Sequence, residues 1–242
     1  MWSRLAGLIA LSPITAIVSK ADVQYAILTF NEAREASCVV ARSCKDWQEK
    51  GAKSGVYTIE LDGYYYKGAL TVWCDMDTAG GGWTVFQRRR DFTVDFNRSR
   101  TEYINGFGDI SGDFWLGLGA IDDLSVRGGL TNLRVDLVAE SGRRYWAQYT
   151  DFFLCFEELF GLNDRLYYYS GDAGDGLIGD KQLFYTYDGH KKSCETSIKG
   201  GWWYNQSDCS SKANLNSPDR RFMTWANIGR VTFSEMKIKP RD

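Results

Sequence analysis

The sequence is poorest in histidine, with one, His190, in 242 residues. A zinc site of the usual kind needs more nitrogen ligands than that, and no Cys-x-x-Cys spacing offers thiolates instead. The same scarcity removes the ordinary base for a serine or cysteine nucleophile, and the carboxylates show no spacing that singles out an acid–base pair. An enzyme is therefore not expected. Net charge is also small, −2 at pH 7, so nothing draws the chain toward nucleic acid or anionic lipid over long range. There is no Gly-X-Y repeat and no heptad run, which leaves neither a collagen stalk nor a coiled coil in this sequence. Beyond the N-terminal segment no stretch approaches the roughly 20 apolar residues that cross a bilayer, so no membrane insertion is expected.

What is present at the start points to export. A basic beginning, Met1 to Arg4, leads into an apolar run broken by Pro13, with small Ser19 and Ala21 behind it. That order reads as a secretory signal peptide over residues 1–21, with an uncleaved anchor as the alternative. Residues 22–37 read as an N-terminal tail and 38–242 as one large domain, secreted and extracellular. Six cysteines, Cys38, Cys44, Cys74, Cys155, Cys194 and Cys209, then imply disulfides rather than metal, although spacing alone does not choose the pairing. Asn97-Arg98-Ser99 and Asn205-Gln206-Ser207 are acceptor sequons for a glycoprotein, whereas Asn216-Ser217-Pro218 is spoiled by its proline.

From Gly55 the pattern is one of short strands and glycine. Residues 55–61, 69–76 and 81–88 read as strands, and Leu133, Val135 and Leu137 alternate against Arg134 and Asp136. Ser141-Gly142 suits a hairpin turn before the next apolar run. The terminal run from Val231 switches its apolar face midway, which predicts a bulge. Helices are expected only near residues 43–51 and 111–126. The triplet Arg88-Arg89-Arg90 reads as a solvated strand end in preference to a polyanion contact. Residues 161–229 are rich in Gly, Asp, Asn, Ser and Tyr with little periodicity, and a long irregular stretch inside a domain usually carries function. Within it, Gly174, Gly176 and Gly179 make a formal G-x-G-x-x-G without a following helix, so they read as a tight surface loop. Asp172, Asp175 and Asp180 read as solvated loop acids in preference to a stray cation site.

Several motifs, in order, resemble one family. They are Val72-Trp73-Cys74-Asp75-Met76, Gly81-Gly82-Trp83-Thr84-Val85-Phe86-Gln87-Arg88-Arg89, Gly106-Phe107-Gly108, Phe114-Trp115-Leu116-Gly117, Gly201-Trp202-Trp203-Tyr204 and Glu235-Met236-Lys237-Ile238. Together they resemble the fibrinogen C-terminal-like domains of ficolins, tachylectins and angiopoietins across nearly all of residues 38–240. The resemblance implies an α+β fold with a small disulfide-linked N-terminal part, a central antiparallel sheet rejoined by the last strand, and a loop-rich C-terminal ligand-binding part. It implies the pairs Cys44–Cys74 and Cys194–Cys209, leaving Cys38 and Cys155 to bridge internally or between chains.

The resemblance also implies a calcium loop, at Phe184, Thr186 and Asp188. Here the later acids of the family's motif are replaced by His190 and Lys192, with Lys191 between them. Calcium is a hard cation that wants six to eight oxygens, so lysines and imidazole at those places predict that none is held and that no cofactor is needed. The family's acetyl-sugar pocket maps onto Trp202, Trp203, Tyr204, Asp208, Cys209, Ser210 and Trp225, with a strained peptide bond implied before Cys209. Ser210 stands where the family has histidine, and the run after Asn216 is shortened. The implied function is secreted, calcium-free recognition of glycans or acetylated groups in innate immunity. The alternative is an angiopoietin-like protein ligand that docks a cell-surface protein after losing the pocket. Oligomers would form through domain contacts or an interchain disulfide.

Overall fold

The computed structural model describes residues 40–127, 130–155, 160–162, 168–177, 182–189 and 200–241. The expected signal peptide and tail, Cys38, Asp180, His190, Lys191, Lys192 and Cys194 lie outside the described residues.

Helix α1 (Cys44–Glu49) opens on the Ser43/Asp46 capping box, and Cys44 is bridged to Cys74. Strands β1 (Gly55–Asp62) and β2 (Lys67–Asp75) form a hairpin, followed by β3 (Trp83–Arg89). Helix α2 (Arg100–Asn105) precedes the short strands β4 (Phe107–Gly108) and β5 (Phe114–Trp115). Helix α3 (Leu118–Arg127) leads to β6 (Thr131–Ala139) and β7 (Arg144–Tyr149), turned through Gly142 at φ 83°. Then come β8 (Leu154–Cys155), β9 (Gly161–Leu162), β10 (Tyr169–Gly171), β11 (Gln182–Tyr185), β12 (Trp202–Asn205), β13 (Ala213–Asn214), β14 (Thr224–Trp225) and β15 (Gly229–Pro240).

The main sheet runs β1-β2-β3-β15-β6-β7-β10, every neighbouring pair antiparallel. The last strand therefore fills the middle of the sheet, between β3 and β6. Its register shifts at Val231/Phe233 and at Met236/Lys237, which are the bulges foreshadowed by the switching face. In β6 the alternation is clean: Leu133, Val135 and Leu137 are buried and Arg134 and Asp136 half-buried. The α+β architecture read from the motifs is the one observed. No helix among the described residues is long and apolar enough to cross a membrane.

The arginine triplet corrects the expectation of a solvated strand end. Only Arg90 is exposed; Arg88 and Arg89 are buried, Arg89 completely. Arg88 donates to Glu235 at 2.7 Å and lies over the Trp73 ring. Arg89 lies against the rings of Phe92 and Phe96, donates to the Ser217 carbonyl, and stands 3.6 Å from Asp113. Charge survives burial here because each guanidinium meets a carboxylate or carbonyl and aromatic faces. Beside it, Lys237 Nζ reaches Asp75, Asp136 and Glu235 at 2.6, 2.8 and 2.9 Å, and Arg134 grips Asp136. Burial alone would raise the Asp75 pKa, but the Lys237 charge and hydrogen bond outweigh it and bring it down to about 2.

Candidate functional site

The candidate site is built on the β11/β12 hairpin. Leu183 faces Tyr204, Phe184 faces Trp203 and Tyr185 faces Trp202 across it, so bulky rings stack as cross-strand pairs. They pack inward. Trp203 meets the Phe184 ring edge-on at 5.3 Å and donates its indole N–H to the Phe160 carbonyl. Trp202 stands edge-on to Trp203 at 5.1 Å, and its own indole N–H is buried without a hydrogen-bond partner among the described residues. The Tyr204 hydroxyl accepts from Asn214. Trp225 donates to the Gly174 carbonyl and lies so close to Gly176 that a Cβ there would sit 2.6 Å from the ring. All four rings nominated from the motifs, Trp202, Trp203, Tyr204 and Trp225, are buried. In this conformation they support the surface from beneath.

The polar nominees stay outside. Asp208 and Ser210 are exposed and Cys209 is partly so. Asn205 Oδ1 accepts from the Ser207 and Asp208 N–H groups, and Asp208 Oδ1 accepts from the Ser210 N–H and hydroxyl. The turn thus satisfies itself locally, as Asn and Asp side chains do. Among the described residues no peptide bond is cis; the unusual backbone is Cys209 itself, at φ 60°. Cys209 is disulfide-bonded; the expected mate, Cys194, lies outside the described residues. Cys155 is in β8, and Cys38 also lies outside. Of the sequon asparagines, Asn97 is exposed and Asn205 partly exposed.

At the calcium-loop position, Thr186 is buried and Asp188 exposed. Asp188 Oδ1 already accepts the Thr186 hydroxyl at 2.7 Å and the Arg100 backbone N–H at 2.9 Å. The Arg100 guanidinium donates to the Phe184 carbonyl at 3.0 Å. Burial pulls the Arg100 pKa below its ordinary value, and the Asp188 charge opposes that shift. Among the described residues no group of three His, Cys, Asp or Glu side chains is placed to hold a metal ion. One carboxylate with two bonds on a single oxygen falls well short of the oxygen shell calcium takes. Asp172, exposed, accepts from the Trp146 N–H, and Asp175, partly exposed, from the Tyr149 hydroxyl.

Sequence reasoning missed two features beside this hairpin. Helix α2 was not anticipated, although Ser99-Arg100-Thr101-Glu102 is a capping box: Ser99 accepts from the Glu102 N–H and Glu102 accepts from the Ser99 N–H. The second is the Gly63–Tyr66 turn. Asp123 of α3 accepts the N–H groups of Tyr64, Tyr65 and Tyr66 at 2.7, 3.0 and 2.7 Å. A side chain at Gly63 would strike that carboxylate. Asp122, its neighbour, is 9% exposed. Burial first, and then the Asp123 charge, raise its pKa to about 6. Burial, reinforced by Asp122, pushes Tyr65 up to about 12. No local pattern marks these acids, because their partners lie almost sixty residues away in sequence.

Over residues 40–241 the chain matches the family described as fibrinogen beta and gamma chains, C-terminal globular domain. Angiopoietin-related protein 7 of Bos taurus is 38% identical over 219 residues, covering 82% of this chain and 62% of that protein. Ficolin-3 of Homo sapiens is 37% identical over 190 residues, covering 72% of this chain and 58% of that protein. The solved fibrinogen-like globe domain of human ANGPTL2 shares the fold at a TM-score of 0.73 and 32% identity, over 84% of this chain and 100% of that one. The chain therefore spans less than two thirds of the length of these two curated relatives.

Proposed function

This chain belongs to the fibrinogen C-terminal globular domain family, and from that we propose a secreted, non-enzymatic recognition domain that docks a cell-surface protein, without calcium, through loops between residues 182 and 225. The observation that carries this reading is the burial of Trp202, Trp203, Tyr204 and Trp225. A sugar-binding surface that works by ring stacking presents an open ring face to the apolar side of the sugar, and none of these four rings does so here. Among the described residues, the large apolar side chains exposed in this region are instead Tyr187, 44% exposed, and Phe222, 54% exposed, the latter beside Arg220 and Arg221. Exposed aromatics and arginines are the residues that anchor protein interfaces. Similarity to angiopoietin-related protein 7 and to the ANGPTL2 globe domain supports the same reading.

The second reading is a lectin for acetylated ligands in innate immunity, favoured by the nearly equal identity to ficolin-3 and by the exposed Asp208–Ser210 turn. Two assays separate them. The purified chain is passed over acetylated-sugar resin with and without chelator, and its binding to cells is followed by flow cytometry. The docking reading expects no sugar-displaceable retention. It expects cell binding that trypsin treatment of the cells abolishes, glycosidase treatment spares, and Phe222→Ser or Tyr187→Ser weakens by about tenfold or more. Retention eluted by free acetylated sugar, with cell binding lost to glycosidase, would replace it with the lectin reading.

A further inference from the structure

Four segments meet at Arg100. Its backbone N–H, the first in α2, is held by Asp188 Oδ1. Its guanidinium binds the carbonyl of Phe184, the third residue of β11. The same guanidinium lies 5.8 Å from the Phe160 ring centroid, and Tyr65 and Tyr185 are among the groups whose fields it feels. Between the two Arg100 contacts runs the turn itself, closed by the Thr186 hydroxyl on Asp188 and by the Gly189 N–H on the Thr186 carbonyl. The turn after β11 is thus tied at both ends to one residue, 84 to 88 positions earlier in the chain.

A metal in such a turn neutralises a carboxylate and gathers carbonyl oxygens. Arg100 does the same two things with two different groups: its guanidinium, a permanent charge, gathers the Phe184 carbonyl and acts on Asp188 through its field, while its backbone N–H bonds the carboxylate. The described residues of this turn do not fit calcium: Asp188 Oδ1 is already bonded twice, and no group of three His, Cys, Asp or Glu placed to hold a metal ion is found among the described residues. We propose that Arg100 is the built-in cation of this loop: it holds the 184–189 turn against α2, so the candidate recognition surface keeps its shape without a metal ion. The proposal rests on the calcium-free part of the reading above and adds the residue that makes the ion dispensable. Arg100 is a positioning residue. Recognition through this turn is then indifferent to chelator.

The test is amide hydrogen exchange on the full chain, read at position 100 and at Gly189, whose N–H groups close the turn. Wild type, Arg100→Met, Arg100→Lys, Asp188→Asn and the Arg100→Met/Asp188→Asn double variant are compared in calcium and in chelator. Loss of a charge-assisted hydrogen bond should speed exchange at both amides by about tenfold in Arg100→Met, with core amides of β6 and β15 unchanged. Arg100→Lys should recover most of the protection, because charge is retained. The two single changes should fall short of adding in the double variant, as coupled partners do. Unchanged exchange in Arg100→Met, a lysine variant as loose as the methionine one, or strict additivity would each overturn the clamp and leave the calcium-free reading standing. Exchange that slows in wild type when calcium is added would overturn that reading itself.

Discussion

Replacing Asp122 by asparagine should stabilise the protein at neutral pH and do nothing at acid pH. Asp122 sits on α3 next to Asp123, whose carboxylate is committed to three backbone N–H groups of the Tyr64–Tyr66 turn. Burial and that neighbouring charge lift the Asp122 pKa from 3.8 to about 6. A carboxylic acid whose folded pKa lies above its unfolded value binds its proton more tightly when folded. The charged form therefore weighs against folding above pH 6, and the penalty fades as pH falls from 6 toward 3.8. Two pKa units correspond to about 3 kcal/mol; water reaches part of this helix edge, so half of that, about 1.5 kcal/mol, is the working figure. For a domain of this size the melting temperature should rise by roughly 3–6 °C. Urea and thermal unfolding, followed by tryptophan fluorescence, are run on wild type and Asp122→Asn at pH 7.5 and pH 4. A gain at pH 7.5 that vanishes at pH 4 is expected. A gain of equal size at both values, or a loss at pH 7.5, would refute the electrostatic reasoning. Asp123→Asn is the internal contrast: weakening the hold on three N–H groups should cost about 1–3 kcal/mol.

Two further outcomes follow from the packing. Lys237→Met removes the cation shared by Asp75, Asp136 and Glu235; leaving those acids uncompensated should cost about 3–5 kcal/mol in urea unfolding at pH 7. Gly201→Ala would bring a Cβ within 2.6 Å of Tyr103 and 2.8 Å of Phe184, and overpacking of that kind should lower stability by about 1–3 kcal/mol without changing the urea m-value.

Strands whose residues alternate, such as β1 and β6, were legible because a period of two marks a half-buried sheet face without reference to anything distant. The β6–β7 hairpin and the bulged final strand were legible for the same reason. Helix α2 escaped because its six residues are too few for periodicity, though its capping box was there to be read. The site was legible only in outline. The motifs found the hairpin carrying Trp202 and Trp203, yet nothing in Gly201–Tyr204 says whether a ring faces solvent or core. That depends on Phe160, Phe184 and Trp115, which arrive from three other segments.

By itself the sequence determined the chemical class of the protein. Scattered cysteines and short glycine-bounded strands favour an oxidised β-rich domain with a long loop region. Tertiary structure alone decided which charges are buried and which carboxylate meets which donor. Arg88 and Arg89 look like a solvated run until β15 is laid beside β3 and brings Glu235 to Arg88, while Ser217 and Asp113 close on Arg89. Asp188 reads in the sequence as a remnant metal ligand, and only the fold shows that its Oδ1 accepts the Arg100 N–H at the start of α2. Local sequence sets the direction in which a side chain points from its own strand or turn. What waits there is set by segments 80 to 150 residues away, and a charge is stabilised or penalised by that encounter.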